Sequence, residues 1–135
     1  MKKLVIGLLT VFVLAACGGG SSASIQGQWK LLSYGPLNDQ TLAAPDVETS
    51  IEFDAEGRMS GNVGCNGFGG DYTVDGSTIA FGPIMSTMMF CEGPVGDQEM
   101  AVLSAFQETA AFVIDGDTVS ITSADGNSVI VLERK

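Results

Sequence analysis

From Gln28 to Arg134 the chain consists of short runs in which apolar and polar residues alternate, each ended by a turn signal. A period of two turns one face of an extended strand to a core and the other to water. The pattern therefore directs this chain to half-buried antiparallel strands. Residues 28–34 set Trp29 and Leu31 against Gln28 and Lys30, and residues 49–54 set Ile51 and Phe53 against Glu52 and Asp54. Ala55-Glu56-Gly57 returns the chain into a strand over 58–63. Strands over 71–74 and 77–81 flank Asp75-Gly76, a two-residue hairpin signal. Strands over 111–114, 118–122 and 128–134 follow, turned at Asp115-Gly116 and Asp125-Gly126. Residues 35–46, with Pro36, Asn38, Asp39 and Pro45, read as a loop. Residues 64–70 hold four glycines and cannot be regular strand throughout. Residues 84–90 are apolar and Met-rich, and read as a buried strand or an extended crossing segment.

One helix is expected over 97–109. Asp97 is its N-cap, Asp97 and Glu99 favour its first turn, and Met100, Leu103, Phe106 and Ala110 form its inward stripe, widened by Val102. Strands, one helix, then strands give a mostly β chain of the α+β class. The expected architecture is a small antiparallel barrel or sandwich with a helix packed on it.

The N-terminus carries the expectation about compartment. Lys2 and Lys3 precede an apolar run from Val5 to Val13, and Leu14-Ala15-Ala16-Cys17 closes it. This is the form of an export signal. The run is too short for a mature span, which needs about 20 apolar residues. The Leu-Ala-Ala-Cys ending resembles a bacterial lipobox. That resemblance implies a signal peptide over 1–16, cleavage before Cys17 and acylation of its thiol. An ordinary signal peptide with Cys17 incidental is the plainer alternative. Residues 17–24 then form a lipidated, Gly/Ser-rich tether, and residues 25–135 a single domain. Gly18 stands after Cys17 where Asp is the usual inner-membrane retention signal. The expected location is therefore the bacterial cell envelope, at the outer membrane and facing the periplasm.

Removing Lys2 and Lys3 leaves 4 basic against 16 acidic residues, a net charge of −12. So acidic a body is unsuited to nucleic acid or to anionic head groups, which makes the lipid on Cys17 the expected membrane attachment.

Of three cysteines, Cys17 is assigned to lipid, leaving Cys65 and Cys91. An even pair in an exported chain favours a disulfide over two buried thiols. It would close a loop of about 27 residues and contribute roughly 3–4 kcal/mol. The chain has no His, so neither a zinc cluster nor a Cys-His nucleophile is expected.

Catalysis is not expected either. There is no His for general-base work, and no Ser-His or Ser-x-x-Lys arrangement. Glu52, Asp54 and Glu56 alternate along a strand and read as a solvated face rather than a glycosidase pair. The Asp-Gly pairs lack the spacing of calcium loops, and the Gly-rich run lacks G-K-[ST]. No cofactor or metal is expected.

The stretch Gly61-Asn62-Val63-Gly64-Cys65-Asn66-Gly67-Phe68-Gly69-Gly70-Asp71-Tyr72 resembles the G-x-x-G-C-N-x-F-x-G-x-Y signature of the META domain. That family includes HslJ-like heat-shock lipoproteins of the bacterial envelope. Residues 81–91 resemble the family's segment ending in T-x-M-x-C, which adds Thr87 and Met89 to the motif positions Gly64, Asn66, Phe68, Gly70 and Tyr72. Met88 stands where relatives often carry Arg or Lys, and Phe90 where they often carry Ala. The resemblance implies a compact barrel with a packed helix, in a fold neighbourhood that includes cracked-barrel lipid carriers. It implies links to envelope stress and antibiotic tolerance, and no shared catalytic set.

Two assignments stay open between structure and binding. Asn66 fits a turn-fixing amide or a binding group. Met85, Met88, Met89 and Phe90 fit either a core or an apolar groove facing Leu103 and Phe106. The functional expectation is a non-catalytic envelope lipoprotein acting through a protein partner, with a barrel binding a lipid or other apolar ligand as the alternative.

Overall fold

The computed structural model describes residues 24–135. The export signal, Cys17 and the tether up to residue 23 lie outside the described residues. The described part contains the whole of one closed sheet and its core. Strands β1 (Gly27–Pro36), β3 (Ser50–Phe53), β4 (Arg58–Asn62), β5 (Gly67–Asp75), β6 (Thr78–Phe81), β8 (Thr109–Asp115), β9 (Thr118–Thr122) and β10 (Ser128–Arg134) pair antiparallel in the order β10-β9-β8-β6-β5-β4-β3-β1. Pairing of β1 with β10 from Trp29↔Arg134 to Pro36↔Ser128 closes an eight-stranded barrel. Two short strands lie outside the ring: β2 (Thr41–Leu42) on β1 and β7 (Met85–Ser86) on β5.

The alternation places the core as expected. Trp29, Leu31, Ile51, Phe53, Met59, Ile79, Val119, Ile121 and Leu132 are buried inside the barrel wall. Each such large side chain contributes about 1.5–3 kcal/mol by leaving water. The register in β1 shifts between Leu31 and Ser33, so Leu32 is the extra residue of a bulge. The Asp75-Gly76 and Asp115-Gly116 hairpins form one residue later than a loop of those two residues would give. Asp75 pairs with Thr78 and Asp115 with Thr118, leaving Gly76-Ser77 and Gly116-Asp117 as the loops. Glycine in the first loop position, with positive φ there alone, is the II′ pattern.

The helix differs from expectation. It is α1 (Gly93–Ala105), four residues earlier at each end, with Glu92 as N-cap and Pro94 in its first turn. Proline at a helix start is favourable because the missing N–H would be unpaired there. Asp97 and Glu99 therefore lie inside the helix, not in its first turn, and Ala110 belongs to β8. The inward face is Gln98, Glu99, Val102 and Ala105, while Met100 is exposed and Leu103 only half-buried. The rotation has a polar cause. Gln98 Oε1 accepts from the Ala44 N–H at 2.8 Å, and Gln98 Nε2 donates to the Val63 carbonyl at 2.6 Å. The helix thus pins the loop after β2 and the bend after β4, satisfying backbone groups at one barrel end. At the other end the chain enters beside the β3–β4 and β5–β6 turns. There Arg134 donates to the carbonyls of Ser24 and Gln26 and lies over the Trp29 ring.

Candidate functional site

The motif residues converge where the bend over 63–66, the segment over 87–91 and α1 meet. Asn66 is the hub and is buried. Its Oδ1 accepts from Thr87 Oγ1 and from the Met89 N–H, both at 2.8 Å. Its Nδ2 donates to the Met89 carbonyl at 3.0 Å and to Glu99 Oε2 at 2.8 Å. The Asn66 backbone N–H donates to Glu99 Oε1 at 2.7 Å. Two donors and two acceptors are the full capacity of a primary amide. The structural reading of Asn66 accounts for every one of them.

Cys65 and Cys91 flank this hub and are joined by a disulfide, with Cα atoms 6.3 Å apart. Donor atoms of Cys65, Cys91 and Glu99 lie within 4.8 Å of one another. With the two sulfurs bonded to each other, neither offers a thiolate to a metal.

The motif glycines are explained by close approach. A Cβ on Gly64 would sit 2.7 Å from Glu99 Cβ and 3.1 Å from the Val95 carbonyl oxygen, so a side chain there would push α1 away. A Cβ on Gly70 would sit 2.9 Å from Ile84 Cδ1 and 3.0 Å from the Pro83 carbonyl oxygen, against the chain entering β7. Phe68 and Tyr72 are core residues. Phe68 packs on Phe106 with ring centroids 5.9 Å apart, and Tyr72 meets Phe53 edge-on at 5.1 Å. Tyr72 Oη donates to the Asp54 carbonyl at 2.6 Å. Burial, helped by Asp54 and Glu56 nearby, raises the Tyr72 pKa. In the β3–β4 turn the Asp54 carboxylate accepts from the N–H groups of Arg58 at 2.8 Å and Glu56 at 3.0 Å. The Arg58 N–H is the largest cause of its lowered pKa. Asp54 thus caps the β3–β4 turn.

The proposed apolar groove is not assembled. Met85, Met88, Met89 and Phe90 are 78%, 93%, 60% and 86% exposed. Phe106 is fully buried, with its ring 5.0 Å from Phe81. Leu103 is half-buried on α1. Of the buried strand or extended crossing segment expected over 84–90, only the two exposed residues of β7 are strand. The cause is the backbone. Thr87 N–H bonds the Gly67 carbonyl, Asn66 takes both the N–H and the carbonyl of Met89, and the disulfide holds Cys91. With polar main chain turned inward, the Met and Phe side chains point to water. Met89 serves the motif through its main chain. Of the six residues expected at the groove, Met85 borders an open surface cleft of about 550 Å³ that it shares with Arg58, Ser60, Asp71 and Pro83.

Gln98 and the inward carboxylate of Glu99 belong to the site although the hydrophobic pattern does not mark them. The cue for both is Pro94, which fixes where the helix begins and hence which face turns inward.

The family described as META domain matches residues 23–135. No curated relative matches. Among solved structures, the chain is similar to a protein from Burkholderia xenovorans determined by NMR, at 19% identity, covering 82% of each chain, with a TM-score of 0.67. It is also similar to a second protein determined by NMR, at 17% identity, covering 78% of this chain and 87% of that one, with a TM-score of 0.61. A third is a crystal structure of a DUF4847 family protein from Bacteroides vulgatus, at 13% identity, covering 82% and 93%, with a TM-score of 0.57. At these identities the likeness concerns the fold.

Proposed function

The chain belongs to the META domain family, and on that premise we propose that it is a non-catalytic, HslJ-like lipoprotein of the bacterial envelope. It is held by lipid on Cys17, at the outer membrane and facing the periplasm. It supports envelope integrity or tolerance of stress and antibiotics through contact with a protein partner. The observation that carries this reading is the saturation of the Asn66 cluster. Asn66 and Glu99, together with the hydroxyl of Thr87, are engaged in holding α1 and two chain segments together. A group engaged in this way is not free to handle a substrate. The packed interior favours the same reading over an apolar carrier. Trp29, Phe53, Phe106, Met59, Ile121 and Leu132 fill the barrel with almost no exposure.

The test is complementation. A strain lacking the chain should grow poorly under detergent or antibiotic stress, wild-type chain should restore growth, and Cys17→Ser should not. Full rescue by Cys17→Ser, or its continued fractionation with the outer membrane after normal processing, removes the anchored reading.

A further inference from the structure

Three methionines within five residues, Met85, Met88 and Met89, are solvent-facing, although the side chain is apolar and the barrel core lies beside them. The backbone that carries them is fixed. β7 pairs with β5 at Met85↔Gly69 and Ser86↔Phe68, Asn66 clamps Thr87 and Met89, and the disulfide holds Cys91. The side chains are the movable part. From Met85 to Met89 the chain spans at most about 14 Å. Rotation about Cα–Cβ and Cβ–Cγ sets where each sulfur lies, and the exposure of all three side chains leaves those bonds free to turn the sulfurs toward a shared ion. A rigid frame bearing flexible soft donors is suited to metal binding.

We propose that Met85, Met88 and Met89 form a surface site for a soft monovalent cation, Cu(I), bound by three thioether sulfurs. Thioethers select Cu(I) over the hard cations that prefer oxygen. The surroundings favour a cation. No basic residue occurs between Arg58 and Arg134 in the sequence. Arg58, which lines the cleft bordered by Met85, is paired with Asp54 at 3.4 Å, and Asp71 lines the same cleft. Glu92 and Asp97 are exposed beyond Cys91. Such a field raises the local concentration of cations. The site is independent of the disulfide, whose sulfurs are already bonded. It goes beyond the proposed envelope role and does not rest on lipidation.

The test uses residues 24–135, which carry the entire closed sheet and lack Met1 and Cys17. Ag(I), the diamagnetic stand-in, is titrated while the methionine methyl resonances are followed by NMR. Cu(I) affinity is then measured against a chromophoric chelator. The methyls of Met85, Met88 and Met89 should shift together and saturate at one equivalent, while core Met59 and the isolated, exposed Met100 stay in place. Replacing all three by Leu keeps the apolar surface and removes the sulfurs, and should weaken Cu(I) binding more than tenfold with unchanged thermal unfolding. Affinity should be flat between about pH 5.5 and 8, because a thioether has no proton to lose, unlike a thiol. The proposal is overturned if no methyl shifts, if Met100 shifts along with the trio, if the triple Leu variant keeps its affinity, or if binding is lost on acidification.

Discussion

Asn66 joins three segments: its own bend, the stretch from Thr87 to Met89, and α1 at Glu99. Asn66→Ala strands the polar groups of Met89 and Glu99. A buried polar group left unpaired costs about 1–3 kcal/mol, and several share one partner here, so a loss of about 2–4 kcal/mol is expected in urea unfolding. Asn66→Asp should be at least as damaging despite its equal size. It would place an acceptor against the Met89 carbonyl and Glu99 Oε2. Wild-type stability in Asn66→Asp would show that the amide is not the hub. A second residue-scale prediction concerns acid. Asp54 and Asp125 are both held below the ordinary carboxylate pKa. For Asp54 the Arg58 N–H is the leading cause, and for Asp125 it is the Ser123 hydroxyl, with Asn127 adding to it. A carboxylate whose folded pKa is lowered contributes stability that is complete above its unfolded value of about 3.9 and is lost as pH falls through the folded value. Asp54→Asn should therefore lower the urea midpoint at pH 7, with the gap to wild type closing below about pH 4. A gap that stays constant down to pH 2 would contradict the turn-cap assignment.

Among the elements, the disulfide and α1 act on the same junction from two sides. Cys65 and Cys91 are 26 residues apart in sequence, and reducing the bond should lower stability by about 2–4 kcal/mol. Thiol counting on denatured, unreduced residues 24–135 should find no free thiol, and two reactive thiols would refute the pairing. The strands were legible in the sequence because one face of each meets the core and the other meets water. Ile51 against Glu52 and Ile121 against Ser120 show the alternation plainly. The helix was legible in kind but not in phase. Its inward face holds Gln98 and Glu99, which a hydrophobicity pattern assigns to solvent, and their burial depends on carbonyl and N–H groups far away in sequence. The burial expected over 84–90 is lost from Met85 onward for the complementary reason. The side chains there are apolar, but the main chain of Thr87 and Met89 takes the inward position. The motif around Cys65 and Asn66 was visible, whereas its partner Glu99 was visible only as a residue near a helix start.

At the scale of the whole molecule, the barrel is closed on all sides and filled from within. Its wall has no unpaired seam between β1 and β10, whose register runs from Trp29↔Arg134 to Pro36↔Ser128. Among the described residues, no buried side-chain nitrogen or oxygen lacks a hydrogen-bond partner. One end is covered by α1 through Gln98 and Glu99, and at the other Arg134 clamps the entering chain. A small barrel that holds a lipid needs an interior apolar cavity of about 300 Å³ or more. Here Phe106 packs against both Phe68 and Phe81. Emptying that space would forfeit about 25 cal/mol for each Å² of apolar surface returned to water. A lipid tail would have to displace these rings without an equal gain. Residues 24–135 incubated with extracted envelope lipids should therefore appear at their bare mass by native mass spectrometry. Phe106→Ala should open a cavity, lower stability by about 3–5 kcal/mol and begin to retain apolar molecules. A stoichiometric lipid adduct on the unaltered protein would mean that the barrel opens in solution, and would restore the carrier reading over the interaction reading.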